Sequence, residues 1–293
     1  MPWPALALVL VAALLHAVWN IAAKKAGGNH HFALISAAGV CVVWAPAAAW
    51  FGWHELGQWQ WLEWALVSAS AVVHVVYFTV LLKGYRVADL TVVYPVARGS
   101  APLLAALGAL LLLGERLSAA AALGVVAVCG GVFLIAGGPG LWRTVHDASA
   151  RHRVLAGLRW GALTGLLIAG YTLIDGYAVK VALIGPVLLD YVGNLLRVPF
   201  LLPASLRDRA GFAAAWRTQW RHALVVATLG PLAYILVLYA VTMAPLSHVA
   251  PAREVSMLFA ALIGGRLLGE SDRGLRVAGA LCIALGVTAL ALG

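Results

Sequence analysis

The sequence predicts an all-α membrane protein of ten transmembrane helices, built as two inverted five-helix repeats. Three observations predict it. The 293 residues are 63% hydrophobic and only 11% charged, with a mean hydropathy of +0.94. A soluble domain carries about 25% charged residues. Ten segments reach the roughly 20 apolar residues that a spanning helix needs. The two halves of the chain also match one another at a fixed offset of 155 residues.

The predicted spans are residues 3–22, 32–51, 62–82, 91–113, 118–137, 159–179, 184–203, 222–242, 247–268 and 274–292. The first opens MPWPALALVL, without a basic stretch before it, and reads as a retained helix rather than a cleaved leader. It carries His16, Trp19 and Asn20 at i, i+3 and i+4, one polar and aromatic face. These residues line a cavity or serve as interhelical hydrogen-bonding glue. The third span repeats the pattern with His74 and Tyr77. The sixth has Tyr171 and Asp175 at i, i+4, and an ionisable residue inside a span is functional or paired. The seventh has Asp190, Asn194 and Arg197 on one face, where Asn194 can bridge the two charges. They form a packing ladder or take part in coupling and gating. Tyr234 in the eighth span is a weaker candidate.

The fourth span holds the most informative residue. Arg98 lies about seven residues into it, roughly 10 Å deep at 1.5 Å per residue. An unpaired central Arg costs at least about 2.5–3.5 kcal/mol. It therefore binds an anionic or carboxylate group in a central cavity, pairs with a buried acid such as Glu254, or snorkels to the interface. Tyr94 precedes it on the same face. Pro95 and Pro102 free backbone carbonyls in this span, and Pro251 does so in the ninth; each is a gating candidate or a packing kink. Arg253 and Glu254 are adjacent in the ninth span. Helical neighbours diverge by about 100°, so the expectation is that one faces the cavity and the other a neighbouring helix. Glu254 is a candidate for proton coupling.

Gly114-Glu115 and Gly269-Glu270 close the fourth and ninth spans and read as structural helix ends. Gly supplies the left-handed stop, and Glu115 is expected at the N-terminal dipole of the fifth span. Small residues are dense in spans four, five, nine and ten and permit close packing, within the chain or between monomers. Cys41, Cys129 and Cys282 lie in separate apolar segments and read as packing residues.

At the 155-residue offset Arg98 falls on Arg253, Gly114-Glu115 on Gly269-Glu270, Gly124 on Gly279 and Gly131 on Gly286. VARGSAPLLAALGALLLLGE thereby aligns with PAREVSMLFAALIGGRLLGE. The halves are 1–137 and 159–293, joined by a linker over 138–158. An odd number of helices per half predicts inverted insertion, with the binding site near the midplane between repeats. These motifs, with HAVWN in the first span, resemble the drug/metabolite transporter (DMT) superfamily and its EamA-domain permeases. The resemblance covers the whole chain. It implies the EamA fold and transport of amino acids, sugars, nucleotide derivatives or other metabolites. The sequence departs from strict repetition where Pro251 stands one residue nearer to Arg253 than Pro95 does to Arg98.

The expected function is a secondary active transporter, an exporter or exchanger of a small polar metabolite, with Arg98, Tyr94, His16, Trp19, Asn20, His74, Tyr77, Tyr171, Asp175 and Arg253 binding substrate. An intramembrane enzyme using His16, His74 and Asp175 is the alternative, as is a lipid-carrier flippase or a small subunit of a membrane complex. Neither a His-Glu-x-x-His metal motif nor a Walker-type loop occurs, so no cofactor, metal or ATP hydrolysis is expected. The expected partners are a small-molecule substrate, the lipid bilayer and a proton or exchanged counter-solute; a homodimer stays open. The net charge of +9 is scattered over connections and does not predict nucleic-acid binding. The expected location is the plasma (inner) membrane.

Of the 20 Lys and Arg, fifteen flank the odd-to-even connections: Lys24, Lys25, Lys83, Arg86, Arg143, Arg151, Arg153, Arg159, Arg207, Arg209, Arg217, Arg221, Arg266, Arg273 and Arg276. Only Arg116 and Lys180 flank the opposite side. The positive-inside rule places both termini outside the cytoplasm, whereas the resemblance implies both inside.

Overall fold

The computed structural model describes residues 1–27, 29–88, 90–136, 151–264 and 273–293. Gly269 and Glu270 lie outside them, as does most of the predicted linker. The helices are α1 (Trp3–Lys25), α2 (His30–Val43), α3 (Ala45–Leu56), α4 (Trp61–Val87), α5 (Leu90–Leu112), α6 (Ala119–Ile135), α7 (Arg151–Lys180), α8 (Pro186–Arg207), α9 (Arg209–Met243), α10 (Leu246–Ala252), α11 (Ser256–Gly264) and α12 (Arg273–Leu292). A 3₁₀ turn, Arg253–Val255, joins α10 to α11.

Among the described residues seven helices (α1, α4, α5, α7, α8, α9 and α12) are long and apolar enough to cross a membrane, and an eighth span results if α2 and α3 count as one. The chain is a multi-pass integral membrane protein. Three predicted spans differ from expectation. The segment 32–51 is bent by 46°. Pro46 has no N–H with which to continue the ladder through Trp44. The segment 118–137 is a helix of 17 residues, started by Ser118, whose hydroxyl accepts from Ala121 N. The segment 247–268 is not one helix but α10, the 3₁₀ turn and α11, because Pro251 cannot donate back to the preceding turn. By contrast α5 runs through both Pro95 and Pro102.

Two helices extend beyond their predicted spans. α7 begins at Arg151 and so takes up the end of the predicted linker. α9 begins at Arg209, thirteen residues before the predicted 222, because Asp208 caps the Ala-rich stretch that follows through Gly211 N.

The helix contacts are paired under exchange of the two halves. α1 packs on α9 as α7 packs on α4; α5 lies on α7 as α11 and the 3₁₀ turn lie on α1; α2 meets α9 as α8 meets α4. α6 and α12, which occupy equivalent places, pack on each other. Their interface is made by glycine. A Cβ on Gly131 would lie 2.6 Å from Gly279 O, and one on Gly124 would lie 2.7 Å from Gly286 O. The later residue of α6 meets the earlier one of α12, so the helices cross antiparallel. The small-residue density read from the sequence is thus used inside the chain.

Candidate functional site

Arg98, on α5, points across the interior to the 3₁₀ turn. Its Nη2 lies 3.2 Å from Glu254 Oε2. Glu254 is 3% exposed, whereas the Arg98 side chain keeps 21% of its surface open. The contact lacks hydrogen-bond alignment, and Arg98 Nε has no hydrogen-bond partner among the described residues. Of the three readings for Arg98, the ion pair is the one present, and the guanidinium is not used up by it.

Arg253 joins the same group, with its Nε 3.8 Å from Glu254 Oε1. This corrects the expectation that the two neighbours point apart. Neighbours in the 3₁₀ turn diverge by about 120°, so the contact is made by the reach of the two long side chains. Two guanidiniums therefore share one carboxylate. Tyr94, Tyr77 and Tyr171 lie within electrostatic range of Arg98, and Tyr171 and Tyr234 within range of Arg253.

An aromatic wall stands beside these charges. His74 stacks on Tyr171 with ring centroids 3.8 Å apart and an interplanar angle of 25°. Tyr77 meets Tyr171 at 5.8 Å. His74 Nδ1 lies 2.9 Å from the carbonyl of Ser70, which fixes the ring's orientation. On α1 His16 and Trp19 meet edge to face at 4.8 Å. Asn20 donates to His16 O at 2.7 Å, so its amide serves its own helix rather than a neighbour.

Two carboxylates lie close by. Asp175 is buried and accepts a hydrogen bond from the Tyr234 hydroxyl. Asn194 donates to Asp190 Oδ2 at 3.0 Å, and Arg197 Nη1 approaches Asn194 Oδ1 at 3.5 Å. The bridge expected of Asn194 is present. Tyr234 and Arg253 also border a small void of about 10 Å³, room for about one water.

Arg98, Tyr94, His16, Trp19, His74, Tyr77, Tyr171, Asp175 and Arg253 thus gather in one region from five elements. Tyr234 proves more central than the sequence indicated, because only the fold brings α9 against α7. The helix-end residues stand apart. Gly114 has φ +65°, and Glu115 N reaches back to Ala109 O at 3.3 Å, the left-handed stop that was predicted. Glu115 does not serve α6, however. It accepts from Leu246 N at 2.7 Å, Ser247 N at 2.9 Å and Lys180 Nζ at 2.9 Å, so it caps α10.

The EamA-like transporter family model matches residues 3–137 and 155–292. The chain belongs to that family. Its two matched stretches are the two halves related by the 155-residue offset, and family membership makes this EamA protein a membrane transporter. No curated protein matches the chain. A solved structure, described only as "Crystal structure of protein", superposes with a TM-score of 0.74 at 15% identity, covering 100% of this chain and 98% of that one. That likeness concerns the fold.

Proposed function

We propose that this EamA protein is a secondary active transporter, an exporter or exchanger, of a small zwitterionic metabolite such as an amino acid, working by alternating access in the inner (plasma) membrane. The observation that carries the substrate class is the bipolar interior. Arg98, Arg253 and Glu254 together leave one positive charge unmatched. Asp175, Asp190 and Arg197 carry a formal excess of one negative charge nearby. A solute with a carboxylate and an ammonium group matches both, and the His74–Tyr171 wall offers a face for its body.

Ten spans in two inverted repeats remain our reading of the architecture. The antiparallel glycine crossing of α6 and α12 and the paired contacts of the halves support it. In such a repeat the substrate site lies between halves that rock against each other. Arg98 and Glu254 belong to different halves, so their contact breaks or re-forms as the halves move. Substrate carboxylate competing with Glu254 for Arg98 would couple binding to that motion.

The test is uptake of labelled amino acids into proteoliposomes holding the purified protein, with and without Arg98→Ala. Saturable transport lost in the variant is expected. Transport of cationic or apolar solutes alone, or full activity of the variant, would overturn the reading.

A further inference from the structure

A second polar cluster lies at the other end of the chain's fold, where α2 and α9 begin. Asn29 caps α2, its Oδ1 accepting from Phe32 N at 2.9 Å, and this fixes His30 and His31 in the first turn. Asp208 caps α9 with one oxygen only: Oδ1 accepts from Gly211 N at 2.9 Å. Its Oδ2 is turned instead to His31 Nε2, 3.1 Å away. The His30 and His31 rings lie 3.9 Å apart between centroids. One donor atom from each of His30, His31 and Asp208 falls within 4.8 Å of the others.

We propose that His30, His31 and Asp208 form a binding site for a divalent transition-metal ion of the Zn²⁺ class, joining the first half of the chain to the second. Two imidazole nitrogens and one carboxylate oxygen are a ligand set that such ions take. Ligands held at about 2.0–2.1 Å by a tetrahedral ion sit roughly 3.4 Å apart. The His31–Asp208 separation is already close to that, and the exposed His30 side chain has freedom to close the rest. His31 is buried, and its Nδ1 lies 3.0 Å from Ser205 Oγ. A metal-bound imidazole has this kind of partner on its second nitrogen, which orients the ring.

The same three residues also border open space that an ion can enter. His30, His31 and Asp208 line an open cavity of about 370 Å³ together with Gln219. Two helix N-termini and the adjoining Arg207 and Arg209 oppose a cation, so the two imidazoles supply most of the affinity. The sequence shows none of this, because 177 positions separate His31 from Asp208.

The experiment is calorimetric titration of tag-free, full-length protein in detergent with Zn²⁺, with Co²⁺ absorption as a report on coordination geometry. One ion per chain and a tetrahedral Co²⁺ spectrum are expected. Asp208→Asn keeps the helix cap while removing the carboxylate, and His30→Ala removes an exposed ligand; each weakens binding at least about tenfold. His54→Ala, at an exposed histidine on α3, leaves binding unchanged. No binding by the wild type would make the cluster a His–Asp ion pair only. Undiminished binding by Asp208→Asn and His30→Ala would place the ion elsewhere. Either result overturns this proposal and leaves the transport reading untouched.

Discussion

At the residue scale, Arg98→Ala does two things that must be separated. It removes a group placed to bind substrate, and it leaves buried Glu254 with only the longer contact to Arg253. Breaking a buried pair from one side costs about 3–5 kcal/mol, so the single variant melts earlier in detergent. Arg98→Ala with Glu254→Gln removes the stranded charge. The double variant recovers most of the lost thermal stability yet stays inactive in proteoliposomes. Recovery of both would reduce Arg98 to a packing role. A similar argument applies to Tyr234→Phe, which withdraws the donor from buried Asp175. Loss of a hydrogen bond to a buried acceptor costs about 1–3 kcal/mol, and a melting curve with unchanged midpoint would show that the bond contributes nothing. Arg98, Glu254 and Asp175 were legible because a charge in an apolar segment is costly and so needs a reason. The Tyr234–Asp175 bond was not, since a tyrosine in a span carries no comparable cost and its partner is 59 residues away.

At the element scale the decisive contacts are backbone to backbone. Gly131→Ala sets a Cβ against Gly279 O at 2.6 Å, and a carbonyl on a packed helix has no rotamer to escape into. Overpacking of this kind costs about 1–3 kcal/mol. Gly130 has open space around its would-be Cβ, so Gly130→Ala is neutral or slightly stabilising. Equal melting temperatures for the two variants would refute the glycine crossing.

Glu115 permits a pH prediction, since it lies in the connection after α5. Burial pushes its carboxyl pKa up, but the N–H of Ser247, the Lys180 ammonium and the N–H of Leu246 outweigh burial and hold it below the ordinary value. A lowered folded-state pKa stabilises above the unfolded-state value, about 4.3 for Glu. That stabilisation is lost as pH falls through the folded-state value. Glu115→Gln therefore lowers the melting temperature at pH 7, and the gap from wild type closes below about pH 4. A gap that persists there would assign the effect to packing. The sequence announced a helix end at Gly114-Glu115, because glycine is the residue that takes the left-handed conformation. It could not announce which helix Glu115 caps. That depends on α10 arriving from the other half, 131 positions away.

At the scale of the whole molecule, the repeat was visible as an offset, and the paired contacts of the halves follow it. The breaks were less visible: α10, which contains Pro251, gives way to a 3₁₀ turn before α11, whereas α5 absorbs two prolines, a difference set by surroundings rather than by proline itself. Orientation is the remaining property of the whole. Met1 N donates to Ala291 O at 2.8 Å, so both termini share one end. A Cβ at Gly293 would lie 2.7 Å from Ser118 Oγ, which brings the start of α6 to that end too. Arg116 is beside it in sequence, and Lys180 is there as the partner of Glu115. Two basic residues thus flank this end, against fifteen at the odd-to-even connections of the sequence. By the positive-inside rule this asymmetry predicts both termini outside the cytoplasm. A C-terminal alkaline phosphatase fusion should be active and a C-terminal green fluorescent protein fusion dark. The reverse pattern would invert the molecule in the membrane and put the His30–His31–Asp208 cluster on the outer face.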